Sequence, residues 1–419
     1  MLRIGALGSQ GDGIGELDGR PVYVPLAVPG DRVEVVVEGP KGEGLAARIV
    51  RLEESGPDRV PPTCGHFGDC GGCGLQQLGA AAYSAWKSGL LPAALARRGL
   101  ADPLIRSTIF VTPGTRRRAA LSAINRDGRI LLGFHARARH RVVDLVQCEI
   151  LVPELMRLLP ALRAAMARVL KGTRSADLLL TWTDSGADLL VTSAVDPDLA
   201  GREALIELAH AADVARIAWS RPTGIPDPII VRRPPAVTFG GISVRLPPGP
   251  FLQPSAAGEA ALVAAVTEAA RGAKVVADLF AGCGTFTFPL AATGAHVHAV
   301  EAALPAIEAL SAAARGSGLG ATVTTERRDL ERRPLALDEL AGFDAVVFNP
   351  PRAGAHAQAR MLAGSKVPRV VAVSCNPATF ARDARILVDG GYGIDWLQPI
   401  DQFPWTAHLE VVASFSREG

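Results

Sequence analysis

From about residue 257 onward the chain alternates apolar, strand-like runs with helical stretches, and this alternation constrains the fold more than any other feature. Val275–Phe280, Ala295–Val300, Phe343–Phe348 and Arg369–Ser374 are rich in Val and Ala and interrupted by few polar residues. Strands covered on both faces read this way, whereas half-exposed strands alternate apolar and polar residues. With an Ala-rich helix at 257–271 in front and helices between the strands, the expectation is a doubly wound, parallel α/β sheet. Ile394–Leu397 and Leu409–Phe415 read as an antiparallel pair at its end.

That sheet uses only the last 170 residues or so, and 419 residues suggest about three domains at ~150 residues each. Pro21–Ala27, Asp31–Glu38 and Leu45–Leu52 are short strand candidates, with turns at Pro29-Gly30 and Gly39-Pro40. They suggest a small barrel of the OB type, a common nucleic-acid binder. Gly11, Gly13 and Gly15 are spaced like a phosphate loop but lack its strand–loop–helix setting, so a mobile turn is expected. A helical stretch covers 79–99. Strands at Ile130–Phe134, Leu178–Trp182 and Ala187–Thr192 then mix with helices at 153–171 and 198–212. Proline-rich joins divide the chain into a barrel (1–56), a central α/β domain (57–249) and a catalytic α/β domain (250–419). No stretch reaches the ~18 apolar residues of a membrane span. The first ten residues lack the apolar core of a signal peptide, so a cytoplasmic monomer without a membrane partner is expected.

The formal net charge is only +2, but it is unevenly distributed. Arg97 to Arg141 contains eleven Arg against Asp102 and Asp127, a local balance of +9. Arg116, Arg117 and Arg118, with Arg137, Arg139 and Arg141, bracket an expected hairpin at Asn125–Gly128. Arginines on adjacent strands can track a phosphate backbone and stack on splayed bases, so this face is read as an RNA contact.

Asp278-Leu-Phe-Ala-Gly282-Cys-Gly284 follows a strand and opens a helix, and Glu301 ends the next strand. Glycines there admit a ligand to the backbone, and the acid can take ribose hydroxyls. A dinucleotide fingerprint needs a third glycine where this chain has Thr287; two glycines suit S-adenosylmethionine, which has no pyrophosphate to seat. Asn349-Pro-Pro-Arg352 and Ser374-Cys375-Asn-Pro377 stand at the tips of the next two strands, which makes Cys375 a candidate nucleophile. Cys64, Cys70 and Cys73 fall within ten residues, with Cys148 far behind. Four thiolates suit tetrahedral zinc or a [4Fe–4S] cluster, and the isolated fourth ligand tilts the reading toward iron–sulfur.

Those motifs, with Arg116-Arg-Arg-Ala-Ala-Leu-Ser122, Leu132-Gly-Phe134, Gln147-Cys148, Phe251-Leu-Gln253, Val373–Pro377 and His408-Leu-Glu410, recur in order in one family. The chain resembles an RNA (uracil-5-)-methyltransferase, nearest the iron–sulfur, 23S rRNA-type members with an N-terminal TRAM domain. The resemblance implies a multidomain fold: an OB-like TRAM β-barrel, a central α/β domain bearing a four-cysteine cluster, and a Rossmann-like class I methyltransferase domain. The 81–109 stretch would pack on the last of these.

It further implies that Cys375 attacks uracil carbon 6, that carbon 5 takes the methyl group, and that Glu410 removes the carbon-5 proton. Gln253, Phe280, Thr285, Glu301, Asp329 and Asn349 would contact S-adenosylmethionine. Cys64, Cys70, Cys73 and Cys148 would hold the [4Fe–4S] cluster, and Phe251 would join the arginines on the RNA. Two positions depart from the family pattern, which often has Asn at 285 and Asp at 349. rRNA is the expected substrate, with tRNA as an alternative. An amino-group methyltransferase using Asn349-Pro-Pro, and a non-catalytic RNA-binding protein, are the competing readings.

Overall fold

The computed structural model describes residues 1–100, 102–137, 141–172 and 174–417. Among them are sheets of six, six and eight strands and a two-stranded ribbon. The first sheet runs in the order Leu2–Arg3, Arg32–Lys41, Gly44–Glu54, Arg20–Val24, Gly13–Leu17, Ala6–Leu7. Its alternating strands bury Ile4, Val22, Val24, Val33 and Ala47 together. Gly13 and Gly15 lie inside a strand, not in the mobile turn expected of them. A Cβ at Gly15 would sit 2.6 Å from Leu2, and one at Gly13 2.8 Å from Ala27. These glycines are there for close approach across the sheet.

The second sheet has the order Asp227–Val231, Arg216–Ser220, Gly186–Thr192, Ser175–Thr183, Arg118–Arg126, Arg129–Gly133. The expected hairpin is present: Arg118–Arg126 pairs with Arg129–Gly133. Asp127 and Gly128 have φ of 53° and 84°, as a two-residue type I′ loop requires. Helices Pro153–Val169 and Leu199–Ala211 cover this sheet through Leu155, Leu159, Leu205 and Leu208.

The third sheet has the order Val323–Arg327, His296–Glu301, Val275–Leu279, Ala345–Phe348, Arg369–Ser374, Glu410–Ser416, Gly393–Asp401, Ile109–Phe110. The first five strands are parallel and Glu410–Ser416 is antiparallel to Arg369–Ser374. Residues far upstream complete it. Ile109–Phe110 is its last strand, and Leu90, Leu91 and Leu95 of the Ala80–Ala96 helix share a core with Leu387, Val411 and Phe415. The carboxyl ends of the parallel strands all reach one edge, where doubly wound folds bind ligands. No described helix is long and apolar enough to cross a membrane.

Candidate active site

Strand direction explains how Cys375 and Glu410 meet. Ser374 is paired with Val411, and the two strands run in opposite senses. The next residue outward on one strand is Cys375, and on the other it is Glu410, so both arrive at the ligand-binding edge. Glu410 is 3% exposed, and burial pushes its carboxyl up to about 7. Burial also raises the Cys375 thiol, and the negative charge of Glu410 adds to the rise. The Arg352 guanidinium opposes it and favours the thiolate. Cys375 opens into a cavity of about 550 Å³ whose lining includes Trp86, Arg97, Arg352, His408 and, from the first sheet's Gly8–Gln10 loop, Ser9 and Gln10.

Three neighbours were not among the expected site residues. Arg352 Nη2 donates to His408 Nε2 at 2.9 Å. Burial, and then the charges of Arg352, Lys87 and Arg116, push His408 down to about 4, so its ring is neutral and accepts that bond through Nε2. Gln402 Nε2 donates to Glu410 Oε1 at 3.1 Å and to Gln253 Oε1 at 2.7 Å. Arg352 and His408 stood inside quoted motifs, so their nearness to the site was legible there, though no role was assigned to them. Gln402 carried no sequence signal, because only the fold brings it beside Gln253, 149 residues away in the chain.

The expected cofactor residues line the same edge. Glu301 Oε2 accepts from the Gly282 amide at 3.0 Å and Oε1 from the Ala303 amide at 2.8 Å, which fixes the acid at the mouth of the glycine turn. Gly282 has φ 56°, and a Cβ there would meet nothing within 4 Å, so space remains over the turn. Thr287, where a dinucleotide fingerprint has its third glycine, donates to buried Asp278 Oδ2 at 2.5 Å. The other oxygen of Asp278 is buried without a protein partner, a polar atom left for a ligand. Gln253 is buried, Thr285 and Asn349 are half-buried, and Phe280 lines a hollow with Leu330 and Glu331. These features fit S-adenosylmethionine. Asp329 is exposed and its carboxylate takes the Glu331 amide at 3.1 Å, capping its own turn.

Cys64, Cys70, Cys73 and Cys148 line one cavity of about 490 Å³, together with Arg116, Arg137, Arg352 and His408. Gln10, Arg352, Ala407 and His408 border this cavity and that of Cys375 alike. Among the described residues no group of three or more His, Cys, Asp or Glu is placed to hold a single metal ion. Burial pushes Cys73 up to about 12 and raises Cys70 and Cys148. Each then stays a neutral thiol unless a cationic centre favours the thiolate. A Cβ at Gly71 would lie 2.9 Å from the His135 carbonyl oxygen, so the segment passes close to its neighbour. In its chemistry the donor set, four thiols round one hollow, is of the kind that a thiolate-held cluster would need.

The arginine face needs correction. Arg117 is 8% exposed, and its Nη2 meets Glu259 Oε2 at 2.6 Å while Nε donates to the Gln253 carbonyl. It ties the central sheet to the Ala256–Ala269 helix, so its guanidinium is spent inside the protein and not on the surface expected to contact RNA. Strand alternation turns it opposite to Arg116 and Arg118. Arg116 and Arg137 face the thiol cavity, Arg141 pairs with Asp69, and Arg139 lies outside the described residues. Arg118 lies over the ring of Phe251, 5.9 Å from its centroid, and Phe251 is 62% exposed.

Residues 240–417 match the tRNA (uracil-5-)-methyltransferase family and residues 2–50 the TRAM domain. An uncharacterised RNA methyltransferase of Caulobacter vibrioides is 41% identical, covering 99% of both chains. A 23S rRNA (uracil(1939)-C(5))-methyltransferase of Chromohalobacter salexigens is 34% identical over all of this chain and 89% of its own. Among solved structures, the Pyrococcus abyssi tRNA (uracil-54, C5)-methyltransferase with S-adenosyl-L-homocysteine superposes with a TM-score of 0.75, at 26% identity and 99% coverage of each chain. With a TRAM domain in front of a Rossmann-like catalytic sheet, the chain belongs to the family of S-adenosylmethionine-dependent RNA (uracil-C5)-methyltransferases.

Proposed function

We propose that this protein methylates carbon 5 of a uridine in 23S rRNA, with Cys375 as nucleophile and Glu410 as base. The observation that carries the proposal is the meeting of these two residues at one sheet edge, with Glu410 held at about 7 by burial. Carbon 5 of uracil is too weak a nucleophile to take a methyl group unaided. The Cys375 thiolate, favoured by the Arg352 charge, adds to carbon 6 and pushes the ring electrons onto carbon 5 and the carbonyl at carbon 4. S-adenosylmethionine, when bound, supplies the electrophilic methyl group. Glu410 then takes the proton from carbon 5, the carbon 5–carbon 6 double bond returns, and Cys375 leaves as thiolate. Gln253, Phe280, Thr285, Glu301 and Asn349 form the cofactor edge in this reading, and Asp329 has a lesser part because its carboxylate caps a turn. To reach Cys375 the base must leave its stack, and Phe251 with Arg118 is suited to hold a neighbouring base.

rRNA is favoured because sequence identity to the enzyme named for 23S rRNA, 34%, exceeds the 26% to the tRNA enzyme. Cys64, Cys70, Cys73 and Cys148 would hold a [4Fe–4S] cluster, which supplies no electron to this reaction and serves to fix the segment that carries them.

The test uses RNA containing 5-fluorouridine, in which carbon 5 has no proton to lose. The protein, S-adenosylmethionine and 23S or tRNA fragments should give a methylated, denaturation-stable adduct mapped to Cys375, with the 23S fragment as the better substrate. Preference for the tRNA fragment would move the substrate. Full activity of Cys375→Ala would end the covalent reading.

A further inference from the structure

Lys87, on the Ala80–Ala96 helix, is 0% exposed. An ammonium is rarely buried to this degree unless paired. Its Nζ meets Asp401 Oδ1 at 2.9 Å and the carbonyls of Thr406 and Phe403 at 2.7 and 3.4 Å. Tyr83, one turn earlier, donates to Asp401 Oδ2 at 2.6 Å and accepts from the Trp405 amide at 2.9 Å. The Gly74 amide donates to the Trp405 carbonyl at 2.8 Å, so the cysteine-bearing segment grips the same residue. Trp405 has φ 58°, a conformation that a bulky residue keeps only when its surroundings hold it there. All these contacts converge on the loop 402–409, which begins with the partner of Glu410, includes His408, and leads into Glu410 itself.

We infer that Tyr83, Lys87 and Asp401 are positioning residues for catalysis: they clamp the 402–409 loop so that Gln402 holds Glu410 in register with Cys375. This rests on the proposed roles of Cys375 and Glu410. The clamp acts on proton removal more than on RNA binding, because its bonds end on the base's own loop. Phe251 and Arg118 belong to other segments.

The test is Tyr83→Phe, which removes one hydroxyl and leaves the ring. With ordinary uridine RNA, kcat should fall at least ~10-fold with KM little changed, the size of effect that a misplaced general base gives. The fraction of enzyme caught as methylated adduct at steady state should rise severalfold, because addition and methyl transfer outrun elimination. The charge-neutral pair Lys87→Met with Asp401→Asn should do the same without leaving a buried unpaired charge, which keeps the test usable if Tyr83→Phe lowers the melting temperature. A fall in kcat without adduct build-up in both variants, or unchanged kinetics, would overturn the clamp. Wild-type protein on 5-fluorouridine RNA is run alongside. No adduct there would remove the covalent reading and the clamp with it, whereas an adduct there with unaltered Tyr83→Phe kinetics would remove the clamp alone.

Discussion

Glu410 shows how one side chain can be tuned by position. At the start of an antiparallel strand it stands at the ligand-binding edge, yet it is buried deeply enough that its carboxyl titrates near neutrality. Replacing it with Gln keeps the shape and the bond from Gln402 but removes the proposed base. Glu410→Gln should therefore form the methylated adduct on ordinary uridine RNA and fail to release it, with turnover down ~10²–10⁴-fold; gel shift after denaturation reads this directly. In the wild type the carboxylate fraction rises with pH through about 7. Adduct decay, measured in a single turnover, should quicken up to that pH and level off above it. A decay rate indifferent to pH across that range would assign proton removal elsewhere. At this scale the sequence was informative about position, where a motif put a polar side chain at a strand tip, as with Cys375 and Glu301. It was silent about Gln402 and Lys87, whose partners arrive from distant segments.

Elements decide which of a run of like residues can do what. Arg116, Arg117 and Arg118 look equivalent in the sequence, but the pleat sends Arg117 inward to Glu259 on the Ala256–Ala269 helix. Arg117→Ala would leave that carboxylate buried and unpaired, and a loss of about 3–5 kcal/mol is expected in chemical denaturation. Arg118 and exposed Phe251 behave oppositely. Phe251→Ala should leave stability within about 0.5 kcal/mol and weaken RNA binding by about 1–3 kcal/mol, measured by titration at fixed salt. The helices Pro153–Val169 and Leu199–Ala211 were legible, as were four of the last sheet's five parallel strands from their apolar runs; Val323–Arg327, with its threonines and charged end, was not. The N-terminal glycines were not, because a glycine needed for close packing and one needed for a turn look the same in a sequence.

For the molecule as a whole, charge along the chain differs from charge in space. Among the arginines between Arg97 and Arg141, Arg106, Arg117, Arg129 and Arg141 are answered by Glu268, Glu259, Asp144 and Asp69. Three of these acids lie after that stretch of chain and one before it. The RNA-facing charge is thus smaller than the local balance of +9 implies. RNA affinity should fall with salt less steeply than that balance would give, and Arg118→Gln should flatten the log–log slope by ~0.7 while Arg117→Gln leaves it unchanged.

The way the catalytic sheet is assembled also imposes an order in time. All four clustered thiols have been synthesised by residue 148, and Ile109–Phe110 waits at what will become the sheet's edge. Its partner strand and Glu410 follow roughly 290–300 residues later, about 15–60 s at ~5–20 residues per second. During that interval the nascent chain carries four thiols whose hollow still lacks its Arg352 and His408 wall, and a helix whose Leu90, Leu91 and Leu95 lack the Leu387, Val411 and Phe415 side of their core. The upstream half must therefore be kept from sticking to other chains until the ribosome has delivered the last strand.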